Sequence, residues 1–407
     1  MIQPISYRKL QHIYQSQAKN SRLKASEYHK SDALDNSRVL VVRKKSKLRQ
    51  LSYNQRLQGK QIITKKEYEK YKNSHKRPNH QYCGHHLSHG SKSVSLVETK
   101  TGNYAFTGLA KCGLVWRCPT CSHKILSKRR DQILDYYDEH KKNGLELGFV
   151  TLTIRHHKKQ SLKDLLEQLH KNYRAFQNTR NFKKHKKSII GQIKSTEVTY
   201  SQNNGWHPHL HILFFYNTSD KNYIQDVHNQ LLTNWVKFKN NNASIDAQNA
   251  QICTTNTITD YVSKWDIGKE LASSKQKTSK GLTPFGILTE LITEKNKEKR
   301  LYLQSLFREY AEATYRKQRL SISRNISKLY SEIKNKTDEK LLNEIDIKKL
   351  IISFTAIIWF EIQTKHIEPL IIEAYELGGK EAIYILFNQM KINYKIHTNK
   401  DNQTIIM

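Results

Sequence analysis

The sequence predicts an α+β protein: a split βαβ antiparallel sheet with helices on one face, preceded by a small zinc-ribbon-like segment and followed by a helical C-terminal region. Three observations predict it. Hydrophobic periodicity over residues 148–271 switches between strand and helix spacing in the order β-α-β-β-α-β-α, which leaves one sheet face free for a site. Four of the five cysteines fall between positions 83 and 121, a clustering of the metal-binding kind rather than a disulfide framework. The stretch Gly205-Trp206-His207-Pro208-His209-Leu210-His211-Ile212-Leu213-Phe214-Phe215 carries three histidines at alternate positions. In an extended strand His207, His209 and His211 share one face, while Leu210, Ile212 and Phe214 bury on the other.

Charge narrows the class of partner. Lys and Arg number 70 against 36 Asp and Glu in a chain of 407 residues, a formal charge of +34. Such an excess repels itself unless a polyanion compensates it, and nucleic acid is the natural partner. A Lys- and Asn-rich composition raises the charge as well, without any partner. No apolar run follows Met1-Ile2-Gln3-Pro4, so no signal peptide is expected. The longest apolar stretch, Leu350 to Phe360, is interrupted by Ser353 and Thr355 and is about half the ~20 residues needed to cross a bilayer. A cytoplasmic protein with no membrane contact is the expectation.

Taken in order, residues 1–80 form a basic arm with few apolar anchors, expected to be partly mobile, with a short strand at Val39–Arg43 and a helix at Lys65–Lys72. Residues 81–142 hold the Cys/His segment and a basic amphipathic helix over Ile125–His140, whose Lys124, Lys128, Arg129 and Arg130 are candidate phosphate contacts. In 143–275, Gly148–Arg155 reads as a strand and Ser161–Phe176 as a helix capped by Ser161. Ile189–Tyr200 and Trp206–Tyr216 read as strands around the turn Gln202-Asn203-Asn204-Gly205. Tyr223–Phe238 is a helix, Ala250–Thr255 a short strand and Thr259–Leu271 a helix. Beyond the polar linker Lys275–Lys280, the 276–407 region is expected to be helical at 284–295, 299–316, 363–377 and 381–390.

Two groups of residues have metal-ligand character. Cys118-Pro119-Thr120-Cys121 lets two thiolates reach one tetrahedral ion from a tight turn. Cys112 supplies a third ligand, and Cys83 or one of His85, His86 and His123 the fourth, for a structural Zn²⁺. On the histidine strand, a turn at Asn203–Gly205 brings Glu197 near His209 and His211, directly across from His211 if the loop has three residues. Two imidazoles and a carboxylate with open positions suit Mn²⁺ or Mg²⁺ acting on a phosphate, with His207 as ligand, support or DNA contact. The pair His156-His157 lacks the alternation and reads as surface. Asp260-Tyr261-Val262-Ser263-Lys264 places Tyr261 and Lys264 one helical turn apart. A metal and an ammonium both favour the phenolate, so Tyr261 is a candidate nucleophile toward a DNA phosphodiester.

With these residues in view, the chain resembles the single-tyrosine rolling-circle replication initiators of small bacterial plasmids, in the HUH endonuclease superfamily. Phe149-Val-Thr-Leu-Thr153 resembles the family's first motif, Gly205-Trp-His-Pro-His-Leu-His211 its metal motif and Asp260-Tyr-Val-Ser-Lys264 its tyrosine motif. Gly108 to Cys121 is similar to its cysteine segment, with Thr283–Leu288 and Leu306–Ala313 similar to downstream segments. The likeness covers roughly residues 80 to 330. It implies an HUH endonuclease domain at 143–275 and a site-specific nickase and strand transferase. Tyr261 would cut one strand at the plasmid origin, presented single-stranded or as a hairpin. It would remain joined to the 5′ end and leave a 3′-hydroxyl for host polymerase, with a host helicase as a further partner. His209, His211 and Glu197 would hold the metal, Lys264 would orient the phosphate, and Cys83, Cys112, Cys118 and Cys121 would hold zinc.

One position departs from the pattern. Some relatives carry a Glu four residues before the tyrosine to activate water for the terminating cut, and here that position is Thr257, with Asp260, Asp266 and Glu270 nearby. The same chemistry would serve a conjugative relaxase or a single-tyrosine transposase. A non-catalytic zinc-containing nucleic-acid-binding protein would carry the same charge.

Overall fold

The computed structural model describes residues 36–239, 241–256, 258, 281–398 and 403–407. The chain divides into two compact units, one made of Leu51–Gly84 and Lys111–Glu344, the other of the described parts of Met1–Gln50, His85–Ala110 and Ile345–Met407. The architecture is α+β, with one five-stranded sheet in each unit.

In the second of these units, β1 (Ser93–Thr99) and β2 (Tyr104–Thr107) form a hairpin turned by Gly102 at φ +73°. β8 (Ile347–Thr355) pairs antiparallel with β1 and parallel with β10 (Thr404–Ile406), and β9 (Ile396–Thr398) closes the edge, giving the order β2-β1-β8-β10-β9. The C-terminal region, expected from sequence to be helical, therefore contributes three strands to this sheet, and a fourth, Leu320–Ile322, belongs to the other. The apolar run Ile351-Ile352-Ser353-Phe354 becomes a strand because Val94 and Leu96 offer it a partner, and a short apolar run does not reveal its period by itself. Ala356–Thr364 and Glu368–Gln389 are two helices of this unit, the second kinked at Gly378-Gly379, where Gly379 has φ +64°.

The expected strand at Val39–Arg43 lies inside a helix, α1 (Asn36–Gln61). Four apolar residues are outweighed by the Lys, Arg, Gln and Leu that follow without a proline, all good helix formers. α2 (Lys65–Tyr71) opens on a capping box between Thr64 and Glu67.

The sheet of the larger unit has the order β6-β3-β5-β4-β7, built from β3 (Leu147–Thr153), β4 (Ile189–Ser201), β5 (Gly205–Tyr216), β6 (Asn249–Ile252) and β7 (Leu320–Ile322), all antiparallel. One face carries Val150, Leu152, Val198, Tyr200, Trp206, Leu210, Ile212, Phe214 and Tyr216 into a core shared with two helices. These are α4 (Leu162–Phe176), capped by Ser161 as expected, and α5 (Lys221–Val236). The opposite face is covered at one end. Ile133, Tyr136 and Tyr137 of α3 (Pro119–Lys142) cluster there with Phe149, Ile193, Leu213 and Ile258. The end bearing His209 and His211 lies beyond that cluster.

Among the described residues, His228 is a buried titratable ring without a hydrogen bond. His228 of α5 is fully buried with neither ring nitrogen paired, and it packs so closely on Gly148 that a Cβ there would lie 2.3 Å from Nε2. Burial pushes this imidazole down to about 4 from an ordinary 6.5. Between those values the unfolded chain takes up the proton more readily than the folded one. The stability tied to neutral His228 is thus complete above about pH 6.5 and drains away toward pH 4, by ~3 kcal/mol in all. Urea unfolding of wild type and His228→Leu at pH 7.5 and pH 4.5 checks this: the variant should lose markedly less stability across the interval, and equal losses would refute it.

Candidate metal centres

The hairpin β4–β5 builds the first centre. Ser201 pairs with Gly205, whose φ of +76° closes a three-residue loop over 202–204. A side chain at Gly205 would also press on the Lys158 backbone, with its Cβ 2.9 Å from Cα. From that loop the register runs outward and sets Glu197 opposite His209 and Ser195 opposite His211. Glu197 was expected across from His211 on the basis of a loop one residue later. The register differs by two residues, and a shift of two leaves every side chain on its face.

Glu197 thus meets both imidazoles. Its Oε2 accepts from Nε2 of His209 at 3.1 Å and of His211 at 2.7 Å, and the three ligand atoms lie within 4.8 Å of one another. A carboxylate can only accept, so both rings carry their proton on Nε2, the atoms a cation would take over. Burial alone would raise the Glu197 carboxyl, but the His209 and His211 rings outweigh it and hold it well below the ordinary carboxylate range. The donor set of two nitrogens and one oxygen fits a borderline-hard divalent cation.

β3 supports the rings from the other side. Thr151, opposite His211, has its Oγ1 3.0 Å from His211 Nδ1, and Phe149 stacks on the same ring at 5.4 Å. Such a contact to the far nitrogen fixes a ligating ring's tautomer and orientation. Sequence reasoning picked out Phe149–Thr153 as a motif but missed these two roles. Strand alternation puts Phe149 and Thr151 on one face, yet nothing local says which strand lies beside β3. His207 turns away from Glu197 toward His156, with nitrogens 3.4 Å apart. Burial, with His209 and His156 adding to it, pushes His207 down to about 4. His156 is therefore not plain surface, because the loop after β3 folds it back against the hairpin.

The second centre gathers four sulphurs. Cys83 Sγ lies 3.5 Å from Cys118 Sγ and 3.4 Å from Cys121 Sγ, and Cys112 Sγ lies 3.8 Å from Cys121 Sγ. Ligand bonds of about 2.3 Å in a tetrahedron put sulphurs ~3.8 Å apart, whereas a disulfide would draw them to about 2 Å. Cys118 caps α3, with Pro119 at its first position and Cys121 in its first turn, where the helix dipole favours thiolate. Hydrogen bonds from the other three sulphurs, Cys112 first, draw the Cys83 thiol down, while the same contacts push Cys118 up. Four sulphurs this close cannot all ionise unless a cation joins them. His85, an alternative fourth ligand in the sequence reading, instead places Nδ1 2.5 Å from Gln363 Oε1.

Beside this cluster, buried Arg117 donates from Nη1 to both oxygens of Glu67 at 2.7 and 2.8 Å and from Nη2 to the Ile62 carbonyl. Of the basic residues on α3, Arg129 is turned inward and donates to Asp338 at 3.0 and 2.7 Å. Lys128 pairs with Glu344 and Arg130 with Asp131. Each of these three therefore has a carboxylate partner within its unit.

Tyr261 and Lys264, with Thr257, Asp260, Asp266, Glu270 and the expected helix Thr259–Leu271, lie outside the described residues. The nearest described position is Ile258, fully buried in the cluster that holds Phe149 and Leu213.

A family model described as replication protein, Rep_1, matches residues 110–358, more than half of the chain. The chain belongs to the Rep_1 family of replication proteins. The resemblance to plasmid rolling-circle initiators read from its motifs agrees with that membership. This Rep_1 chain is 28% identical to a "Protein rep" of Streptomyces lividans over 151 residues, 30% of its own length and 33% of the relative's. It is 33% identical to a "Protein rep" of Lentilactobacillus hilgardii over 114 residues, 26% of its own length and 35% of the relative's. A "Neomycin resistance protein" of Streptomyces cyanogenus is 28% identical over 146 residues, 30% of the chain and 33% of the relative. The chain spans about a third of the length of the curated relatives it matches. No solved structure matches it significantly.

The four-sulphur centre of this Rep_1 protein yields a direct test. Protein purified without chelator should release one equivalent of metal when its thiols are blocked with a mercurial, read with a colorimetric metal indicator. Cys118→Ser should release none and melt at least ~10 °C lower, as loss of several kcal/mol of metal-coupled folding energy requires. Metal-free wild type with an unaltered melting point in the variant would contradict the centre.

Proposed function

We propose that this protein is a plasmid rolling-circle replication initiator that nicks one DNA strand at the replication origin and transfers it through a covalent 5′-phosphotyrosine. The observation that carries the reading is the meeting of the Glu197 carboxylate with the His209 and His211 imidazoles on one sheet face of a replication-family chain. The antiparallel order β6-β3-β5-β4-β7, with α4 and α5 on the other face, supports an HUH-type split βαβ fold for this domain. The formal charge of +34 suits DNA.

Tyr261 is the nucleophile of this reading. Its oxygen attacks the scissile phosphorus, the P–O3′ bond breaks, the 3′-oxygen leaves and takes up a proton, and the 5′-phosphate stays on the tyrosine. Ile258, three positions before Tyr261 in the sequence, is fully buried. Through Phe149, the cluster holding Ile258 abuts the His211 ring. Bound Mn²⁺ or Mg²⁺ would polarise the phosphoryl oxygen and ease loss of the tyrosine proton. His209, His211 and Glu197 hold that ion, Thr151 and Phe149 orient His211, and Lys264 orients the phosphate. Zn²⁺ suits the four sulphurs, a closed set with no open position and hence structural. Among the described residues no helix is long and apolar enough to cross a membrane. The partners of this reading are single-stranded or hairpin origin DNA and, in the cytoplasm, the host helicase and polymerase.

The test is incubation with single-stranded origin DNA and Mn²⁺, followed by a denaturing gel. Wild type should give a slow, protease-sensitive band, and Tyr261→Phe should bind the DNA equally well yet give no such band. An adduct of undiminished yield in the variant would refute the assignment.

A further inference from the structure

On the face of the sheet turned away from Glu197, the larger unit gathers positive charge that no carboxylate balances. Lys194 of β4 pairs with Ile212, which places it on the α4 side, and its Nζ sits 5.3 Å from the centre of the Tyr173 ring. Next to it on that face, Thr196 Oγ1 lies 3.3 Å from His170 Nε2 of α4. Arg174 follows His170 by one helical turn and is exposed. Lys317 is held from the other side, because Trp116 Nε1 donates to its carbonyl at 2.7 Å. Among the described residues none of His170, Arg174, Lys194 and Lys317 forms an ion pair with a carboxylate. Nearby Glu309 and Glu312 are occupied by backbone amides, those of Leu162 at 2.9 Å and Lys65 at 2.8 Å.

The cluster is close enough to be felt by its own members. Burial, then Lys194, Lys317 and Arg174, pushes the His170 imidazole down to about 4, and burial with Arg174 pushes Lys194 down. A half-buried ammonium such as that of Lys194, with an aromatic ring and Arg174 for neighbours and no carboxylate partner, is held at a cost, and an anion placed beside it would relieve it. Two residues before Lys317, the Tyr315 ring is 48% exposed, with Lys66 Nζ and Arg316 Cζ each 5.2 Å from its centre. An exposed ring flanked by cations, two residues along the chain from a member of a cationic cluster, is the pairing that single-stranded nucleic acid uses: phosphates on the cations and a base on the aromatic.

We propose that His170, Arg174, Lys194 and Lys317 form a second DNA-backbone site, on the sheet face opposite the Glu197, His209 and His211 side chains, which holds single-stranded DNA with a base stacked on Tyr315. This rests on the nucleic-acid reading of the chain but needs neither nicking nor an origin sequence. Its task is to keep hold of displaced or incoming single strand while the other sheet face carries the chemistry.

The experiment uses the full chain, a fluorescent oligo-dT and EDTA, so that catalysis plays no part. Affinity is measured against salt, and thermal melts confirm that each variant is folded. Arg174→Gln with Lys317→Gln, both changes away from the core, should weaken binding about 10-fold at 0.1 M salt and lower the slope of log K against log salt by roughly 1.4, two single-strand phosphate contacts. Tyr315→Ala should weaken it ~10-fold with the slope unchanged, and Tyr315→Phe should restore it. Variants that bind oligo-dT with wild-type affinity and slope would overturn the proposal while leaving origin nicking untouched. Cluster-dependent binding by a protein that forms no adduct with origin DNA would uphold it and refute the nicking reading instead.

Discussion

The register between β4 and β5 is the constraint on which the first centre depends. Side chains alternate along both strands, so a slip of one residue would send Glu197 into the apolar core and leave His209 and His211 facing a different row. Two things hold the register. The apolar row of Leu210, Ile212 and Phe214 has nowhere to go except the core beneath α4 and α5. Gly205, with a backbone that side-chain-bearing residues rarely adopt, ends the loop at one position. The carboxylate that results is shared by two imidazoles, and its burial is tolerated because both rings donate to it.

A single long helix joins the two candidate centres mechanically. The first turn of α3 carries Cys118 and Cys121, while its later residues Ile133, Tyr136 and Tyr137 pack with Phe149 beside the His211 ring. The helix spans 24 residues, about 36 Å at 1.5 Å per residue. A cation among the four sulphurs would pin one end of the element whose other end covers part of the face that bears Glu197, His209 and His211. Arg117, locked to Glu67 and the Ile62 carbonyl, ties the same turn to the chain that follows α1. The cysteine segment is in this view a foundation for the sheet rather than a separate module.

Much of this was legible in the sequence, and the gaps share one cause. β3, α4, the β4–β5 hairpin and α5 announce themselves through periodicity, caps and turn residues, which act over a few positions. The face shared by His209, His211 and Glu197 followed from strand alternation, and even a loop misplaced by one residue kept the right face. What stayed hidden depends on partners far along the chain. β8 finds β1 some 250 residues away, Thr151 reaches His211 across 60, and Lys317 acts on His170 from nearly 150 residues along the chain. Val39–Arg43 erred for the opposite reason, since a locally plausible strand gave way to the helix propensity of the longer segment containing it. His156 looked like surface because a loop residue has no period to betray it.

The central claim is that Glu197, His209 and His211 form one divalent-cation site. It is tested most directly by electron paramagnetic resonance titration of zinc-loaded protein with Mn²⁺, in which bound ion is lost from the free-ion signal. Wild type should take up one Mn²⁺. Glu197→Gln and His211→Ala should each weaken that binding at least ~10-fold, and His207→Ala should leave it close to wild type. Wild-type affinity in Glu197→Gln and His211→Ala would contradict the account.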